Sequence, residues 1–153
     1  HETAANHLLL SRYLDSFALN ADSVMEGLVL PRFAHIQNLT RGHQLTDVVR
    51  QIEGYHGMDS WLPAAADNLK RGSPLSAALT WNSLQRARHY SLGEVFAQDL
   101  NLARQCCRHG EFQEGIRALL IDKDKQPRWR YPNVAAVPEA IIAQHFLAPQ
   151  SES

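Results

Sequence analysis

Helix start and stop signals recur along this chain with no strand signal to compete with them. Ser73-Pro74 sets an N-cap serine before a proline whose missing N–H is one that a helix start leaves unpaired anyway. Ser91-Leu92-Gly93-Glu94 has the form of a capping box, in which hydroxyl and carboxylate each satisfy an orphan backbone N–H. Behind it Leu92, Val95, Phe96, Leu100, Ala103 and Cys107 form one apolar stripe that ends at Gly110, and this is the best helix in the sequence.

Weaker patterns fill the rest. Leu10, Leu14 and Phe17 predict a helix ending near Asn20-Ala21-Asp22, and Gly27 to Pro31 reads as a loop-to-helix step. Phe33, Ile36 and Leu39 suggest a short helix closed by Arg41-Gly42, and Leu45, Val48, Val49 and Ile52 another, punctuated by Gly54 and Gly57. Asp59 is placed to cap a helix carrying Trp61, Leu62, Ala65 and Leu69, which stops at Arg71-Gly72. The helix opened by Ser73-Pro74 carries Leu75, Leu79 and Leu84 and is expected to reach about His89. Phe112, Ile116, Leu119 and Leu120 mark a further helix with Gly115 inside it, which suggests close approach of another backbone. From Lys123 an extended, proline-broken tail leads to a last helix over about Pro138 to His145, with Ile141, Ile142 and Phe146. Short links and no credible strand pair predict an all-α fold, a single irregular helical array of 153 residues with an extended basic tail and a short terminal helix.

Composition narrows the function classes. With 44% apolar and 20% charged residues the chain has enough material for a core. A net charge of −1 supplies no overall positive field for a nucleic acid or an anionic membrane, so neither partner is expected. Adjacent Cys106 and Cys107 do not meet disulfide geometry within one helix and read as reduced thiols, which predicts a cytoplasmic setting. A metal site recruiting His109 lacks a second ligand pair at zinc spacing, so none is expected.

No catalytic residue is assigned. Glu114 and Arg117 stand three apart on a helix, where an intrahelical ion pair is the default explanation. A nucleophilic cysteine would need a cation such as Arg104 or Arg108 to lower its pKa, but burial on the apolar stripe fits Cys107 better. The eight histidines are scattered, and a lone one such as His145 reads as a surface or capped residue. The tail is the binding candidate: Lys123, Lys125, Arg128 and Arg130 alternate with Asp122 and Asp124 and flank Trp129.

Glu114-Gly115-Ile116-Arg117-Ala118-Leu119-Leu120-Ile121-Asp122-Lys123-Asp124, followed by Pro127-Arg128-Trp129, resembles the C-terminal end of the crotonase (enoyl-coenzyme A hydratase/isomerase) superfamily, and most closely its 3-hydroxyisobutyryl-coenzyme A hydrolase branch. Ser73-Pro74 and Ser91 to Phe96 extend the likeness, so it covers residues 72–146, while residues 1–71 are only generally similar to the helices that precede them in that branch. The superfamily's chemistry sits in an N-terminal β/α core with an oxyanion hole and a pocket carboxylate, and no stretch of this sequence has that form. The expectation is therefore a C-terminal portion of a longer enzyme, inactive by itself, covering the acyl and coenzyme A site that the core builds.

The resemblance implies hydrolysis of a short branched β-hydroxyacyl thioester by the parent enzyme, a place in valine catabolism, a homo-oligomer, and no cofactor beyond the coenzyme A moiety of the substrate. It makes Lys123, Lys125, Arg128 and Trp129 the candidates to meet coenzyme A, and Phe112, Ile116 and Leu120 candidates for the acyl end. Where the wider family has a ligand-touching aromatic, this chain has Ala103. Enoyl-coenzyme A hydratase or isomerase activity and a non-catalytic helical protein-interaction module are the alternatives.

Overall fold

In the computed structural model, which describes residues 12–13, 27–57, 60–109 and 111–147, every regular element is helical. The first predicted helix with Leu14 and Phe17, the Asp59 cap and the Gly110 stop lie outside the described residues. The chain divides into two compact units, His1–His35 and Ile36–Ser153. In the first, the step at Pro31 is a 3-10 turn, Leu30–Arg32, with the Arg32 guanidinium donating to the Leu28 carbonyl at 2.8 Å.

The helices are α1 (Phe33–Leu39), α2 (Leu45–Glu53), α3 (Trp61–Arg71), α4 (Pro74–Ala87), α5 (Leu92–Arg108), α6 (Glu111–Ile116) and α7 (Glu139–His145). A π-helical turn (Arg117–Ile121) continues α6, and a 3-10 turn (Val134–Ala136) precedes α7. Helix α4 carries the core of the second unit because its Leu75, Ala78 and Leu79 lie at helical spacing on one face. They are buried with Val137, and Leu45, Leu102, Cys106, Ile141, Ile142 and Phe146 close around them. The Ser73 side chain caps α4 by accepting from the Ser76 N–H at 3.0 Å, as its place before Pro74 predicts. The helix ends at Ala87 with Arg88 as its cap residue, two residues short of His89.

The capping box of α5 forms as expected: the Ser91 hydroxyl receives the Glu94 N–H, and the Glu94 carboxylate receives the Ser91 N–H at 2.7 Å. Its apolar stripe does not turn inward. Leu92, Phe96 and Leu100 are 70%, 64% and 55% exposed, and Ala103 and Cys107 are exposed with them. The inward face is Leu102, Gln105 and Cys106, set by side-chain amides: Asn101 donates to the Leu147 carbonyl at 2.8 Å and Gln105 to the same oxygen at 3.4 Å. An apolar stripe settles only where another apolar surface meets it, and α7 meets the amide side of α5 instead.

The tail beyond Ile121 turns back over residues 122–125 before it runs on without a regular element, and it is firmly held because Arg117 ties it down. Its guanidinium grips both oxygens of Glu114, at 2.9 and 2.7 Å, and reaches Asp122 at 2.6 Å, Asp124 at 2.8 Å and the Gln126 carbonyl at 3.1 Å. The intrahelical pair expected from sequence is thus one arm of a four-residue cluster. Glu114 also takes the Arg128 backbone N–H at 2.6 Å, and Glu111 takes that of Arg130 at 2.8 Å. Residues three apart on a helix and two apart on an extended strand are spaced alike, about 5–7 Å, so each carboxylate meets one tail amide. The second Glu111 oxygen accepts from the Ser73 hydroxyl, so one serine both starts α4 and anchors α6.

Gly115 is approached by the Trp129 ring and not by a backbone, which corrects the expectation from its helical position. A Cβ placed there would stand 3.5 Å from that ring, in ordinary van der Waals contact. Gly115→Ala should therefore raise stability by about 0.5–1 kcal/mol, the usual helix-interior cost of glycine. Equilibrium urea unfolding of the two chains checks this, and a lower midpoint for the alanine form would contradict the packing given.

Hydrogen bonds from Arg117 and then from the Arg128 amide pull the Glu114 carboxyl down from 4.5 to about 2. Arg117 likewise holds Asp124 below the usual range. A carboxylate depressed on folding contributes stability that is fully present above its unfolded pKa and is lost as pH falls through the folded one. Acidification from pH 4.5 to about 2 should thus weaken the native chain more steeply than Glu114→Gln, as followed by denaturation midpoints at each pH. Parallel pH profiles would detach Glu114 from the tail's stability.

Candidate functional site

Fastening the tail leaves an open cleft of about 700 Å³ between it and α6, with the ends of α3 and α4 completing the wall. Its floor is Phe112, Ile116, Ala118 and Leu119, and Trp129 and Pro127 form the side contributed by the tail. Trp129 is fixed at both ends: its indole N–H donates to the Arg71 carbonyl at 2.8 Å, and its ring lies over Gly115. Arg71 and Lys125 bring cations to the lining, and Glu111 brings a carboxylate whose two oxygens are already engaged.

The backbone that delivers Lys125 is unusual. Lys123 and Lys125 both have φ of 56°, in the left-handed region, where a side chain costs roughly 1–2 kcal/mol. The Asp122 N–H closes the π turn onto the Arg117 carbonyl at 2.8 Å, and the Lys125 N–H returns to the Ala118 carbonyl at 3.0 Å. These bonds and the Arg117 cluster hold a conformation that two lysines would not choose. Neither glycine nor asparagine marks the spot, so composition gave no turn signal here.

Four tail residues were candidates from sequence, and the structure gathers two of them. Lys125 and Trp129 share the cleft, whereas Lys123 and Arg128 lie exposed on the tail outside its lining, Arg128 committing its backbone N–H to Glu114. Phe112 and Ile116 line the cleft, but Leu120 is 58% exposed and outside it, because the π turn carries it away from the face it would share with Ile116 on an α-helix. Sequence reasoning missed Arg71 and Glu111. The signal for Glu111 was its spacing of three from Glu114 opposite the alternating Arg128 and Arg130.

The groups in and around this cleft are poorly suited to proton transfer. Glu114 stays ionised well below neutrality and already accepts three hydrogen bonds, so it has no proton to give and is a weak base toward a substrate. Cys106 is half-buried, and burial, then Cys107, pushes its thiol up, the reverse of what a nucleophile requires. Cys107 is exposed, against the burial its stripe suggested. His145 is buried and not on the surface: its Nδ1 bonds the Ile141 carbonyl at 2.7 Å, and its ring centre lies 4.9 Å from that of His109. Burial and then His145 push the His109 pKa down.

Comparison with known proteins extends the likeness beyond the residues whose motifs carry it. Residues 2–146 match the enoyl-CoA hydratase/isomerase family. The mitochondrial 3-hydroxyisobutyryl-CoA hydrolase of Danio rerio is 37% identical over 81 residues, 53% of this chain and 21% of that protein. That of Homo sapiens is 35% identical over 78 residues, 51% of this chain and 20% of the relative. The Xenopus laevis protein of the same name is 35% identical over 113 residues, 74% of this chain and 29% of its own length. The crystal structure of an enoyl-CoA hydratase from Rhodobacter sphaeroides 2.4.1 superposes with a TM-score of 0.71 at 29% identity, covering 95% of this chain and 42% of that one. The chain thus spans between a fifth and a third of these curated relatives. With the match running through nearly every described helix, the chain belongs to the enoyl-CoA hydratase/isomerase family.

Proposed function

We propose that this chain is the C-terminal helical portion of an acyl-coenzyme A thioester hydrolase acting on 3-hydroxyisobutyryl-coenzyme A, covering the acyl and coenzyme A site of a crotonase core. The observation that carries the reading is the clasp of Arg117 on Glu114, Asp122 and Asp124, which folds the family-like segment into one wall of an apolar cleft with Lys125 and Trp129 facing it. In this reading the thioester's apolar portion lies over Phe112, Ile116 and Leu119. Lys125 and Arg71 meet the phosphates, and Trp129 offers a face for stacking. The core supplies the carboxylate that acts as base or nucleophile and the backbone amides that hold the thioester oxyanion. The helices described here exclude water and orient the substrate.

A second reading, 2-enoyl-coenzyme A hydration, is favoured by the structural likeness to the Rhodobacter enzyme. Higher identity to proteins named as hydrolases ranks it below hydrolysis.

The test is steady-state kinetics on an enzyme in which this chain follows a crotonase core. Release of free coenzyme A from 3-hydroxyisobutyryl-coenzyme A is expected, whereas turnover of 2-enoyl-coenzyme A without it would transfer the assignment to the hydratase reading. Lys125→Ala should raise KM by about tenfold with little change in kcat, the loss of one charge-assisted contact worth about 1.4 kcal/mol. Lys123→Ala, outside the cleft, should raise it less. Unchanged kinetics in both variants would assign the lysines to solvent.

A further inference from the structure

A polar groove of about 520 Å³ lies away from the tail, between the chain that leaves α1 and the last turns of α4. Trp81, Gln85 and Arg88 line it from one face of α4, at spacings of four and three, and Gln37, Arg41 and His43 line it from the other side. Gly42 keeps the α1–α2 turn close: a Cβ there would meet the Val48 side chain at 2.8 Å, so Arg41 and His43 are held at the groove by a turn that admits no side chain between them.

The charge is one-sided. No carboxylate lines the groove, and among the described residues neither Arg41 nor Arg88 has an ion-pair partner. Basic residues at helix C-termini ordinarily answer the helix dipole, and Arg88 is the cap residue of α4 while Arg41 stands two residues beyond the end of α1. The magnitudes leave a surplus: the α4 terminus offers roughly half a negative charge, against two whole positive ones on the guanidiniums. Dipole compensation also gives no reason for a half-buried tryptophan or for two glutamines in the same lining. A guanidinium pair suits phosphate, an indole face suits a flat heterocycle, and amide side chains carry both donors and acceptors for its edge. The volume falls within the range of small-ligand sites.

We propose that this groove binds a mononucleotide, its phosphate on Arg41 and Arg88 and its base against Trp81, with His43 a further donor. The site is independent of the tail and of the hydrolase reading.

ADP titrated into the 153-residue chain, followed by calorimetry and by tryptophan fluorescence, tests it. Saturable binding with Kd below about 1 mM is expected, weakened roughly tenfold by Arg41→Ala and by Arg88→Ala and less by Arg88→Lys. Trp81→Leu should weaken binding and remove most of the fluorescence change, and Arg104→Ala, on the exposed side of α5, should leave the titration as it was. Circular dichroism establishes that each variant remains folded. Displacement of ADP by coenzyme A, with the same arginine dependence, would identify the ligand as the nucleotide end of the coenzyme, and failure to displace it would identify a free mononucleotide. No saturable binding, binding indifferent to both arginines, loss of binding in Arg104→Ala, or inorganic phosphate binding as tightly as ADP would each overturn the proposal.

Discussion

One guanidinium organises the half of this protein that bears the cleft. Arg117 presents a planar fork to Glu114 and uses its remaining donors on Asp122, Asp124 and the Gln126 carbonyl, so a helix end, a π turn and an extended tail are tied at one point. Lysine would not substitute, because a single ammonium lacks the fork and reaches fewer acceptors in one plane. An isolated surface pair is worth little, since side-chain entropy and solvent screening offset the Coulomb gain. Here the pair is partly shielded, with side-chain exposure of 26% and 21% for Arg117 and Glu114. Its geometry also recruits backbone: once Arg117 orients the Glu114 carboxylate, the Arg128 N–H finds an acceptor, and Glu111 does the same for Arg130.

That ordering explains why the tail can be extended without being loose. A stretch with two acids, four bases and two prolines has little intrinsic reason to adopt one conformation. The carboxylates of α6 impose one through alternate amides, Trp129 reaches across to the Arg71 carbonyl, and Ser73 connects the same face to the start of α4. The left-handed lysines follow from this fastening. Strain at Lys123 and Lys125 is tolerable because the bonds on either side of them would all have to break to relieve it.

Local signals proved legible wherever a short-range rule decides the outcome. The Ser91 box, the Ser73-Pro74 start and the Gly54 and Gly72 ends are set by hydrogen bonds within a turn or two, and each forms where its pattern places it. The cleft was only partly legible. Trp129 and Lys125 drew notice as an aromatic and a cation in one run, but nothing local couples Glu111 to Ser73 or Arg71 to Trp129, which stand 38 and 58 residues apart. The π turn was illegible for a related reason: α and π ladders share one apolar pattern over so few residues, and the choice between them falls to what Arg117 must reach.

The outward stripe of α5 carries a more general point about amphipathic periodicity. Leu92, Phe96 and Leu100 recur as a buried face would, yet the face that packs is built from Asn101, Leu102, Gln105 and Cys106. Periodicity records that a face is apolar, not which surface meets it, and the two coincide only when the partner lies within the packed unit. On α4 they do coincide, because Val137 and α7 supply apolar atoms against Leu75, Ala78 and Leu79. On α5 the packed face is held by Leu102 and Cys106 against that core and by the Leu147 carbonyl, which accepts two hydrogen bonds, one of them from a buried glutamine. A buried amide left unpaired costs about 1–3 kcal/mol, less than Leu92, Phe96 and Leu100 would together gain, at roughly 1.5–3 kcal/mol each, if an apolar surface met them. Turning α5 to hide its leucines would take Leu102 and Cys106 off the core and strip Asn101 and Gln105 of their acceptor, and among the described residues no apolar surface stands on the other side to meet the stripe.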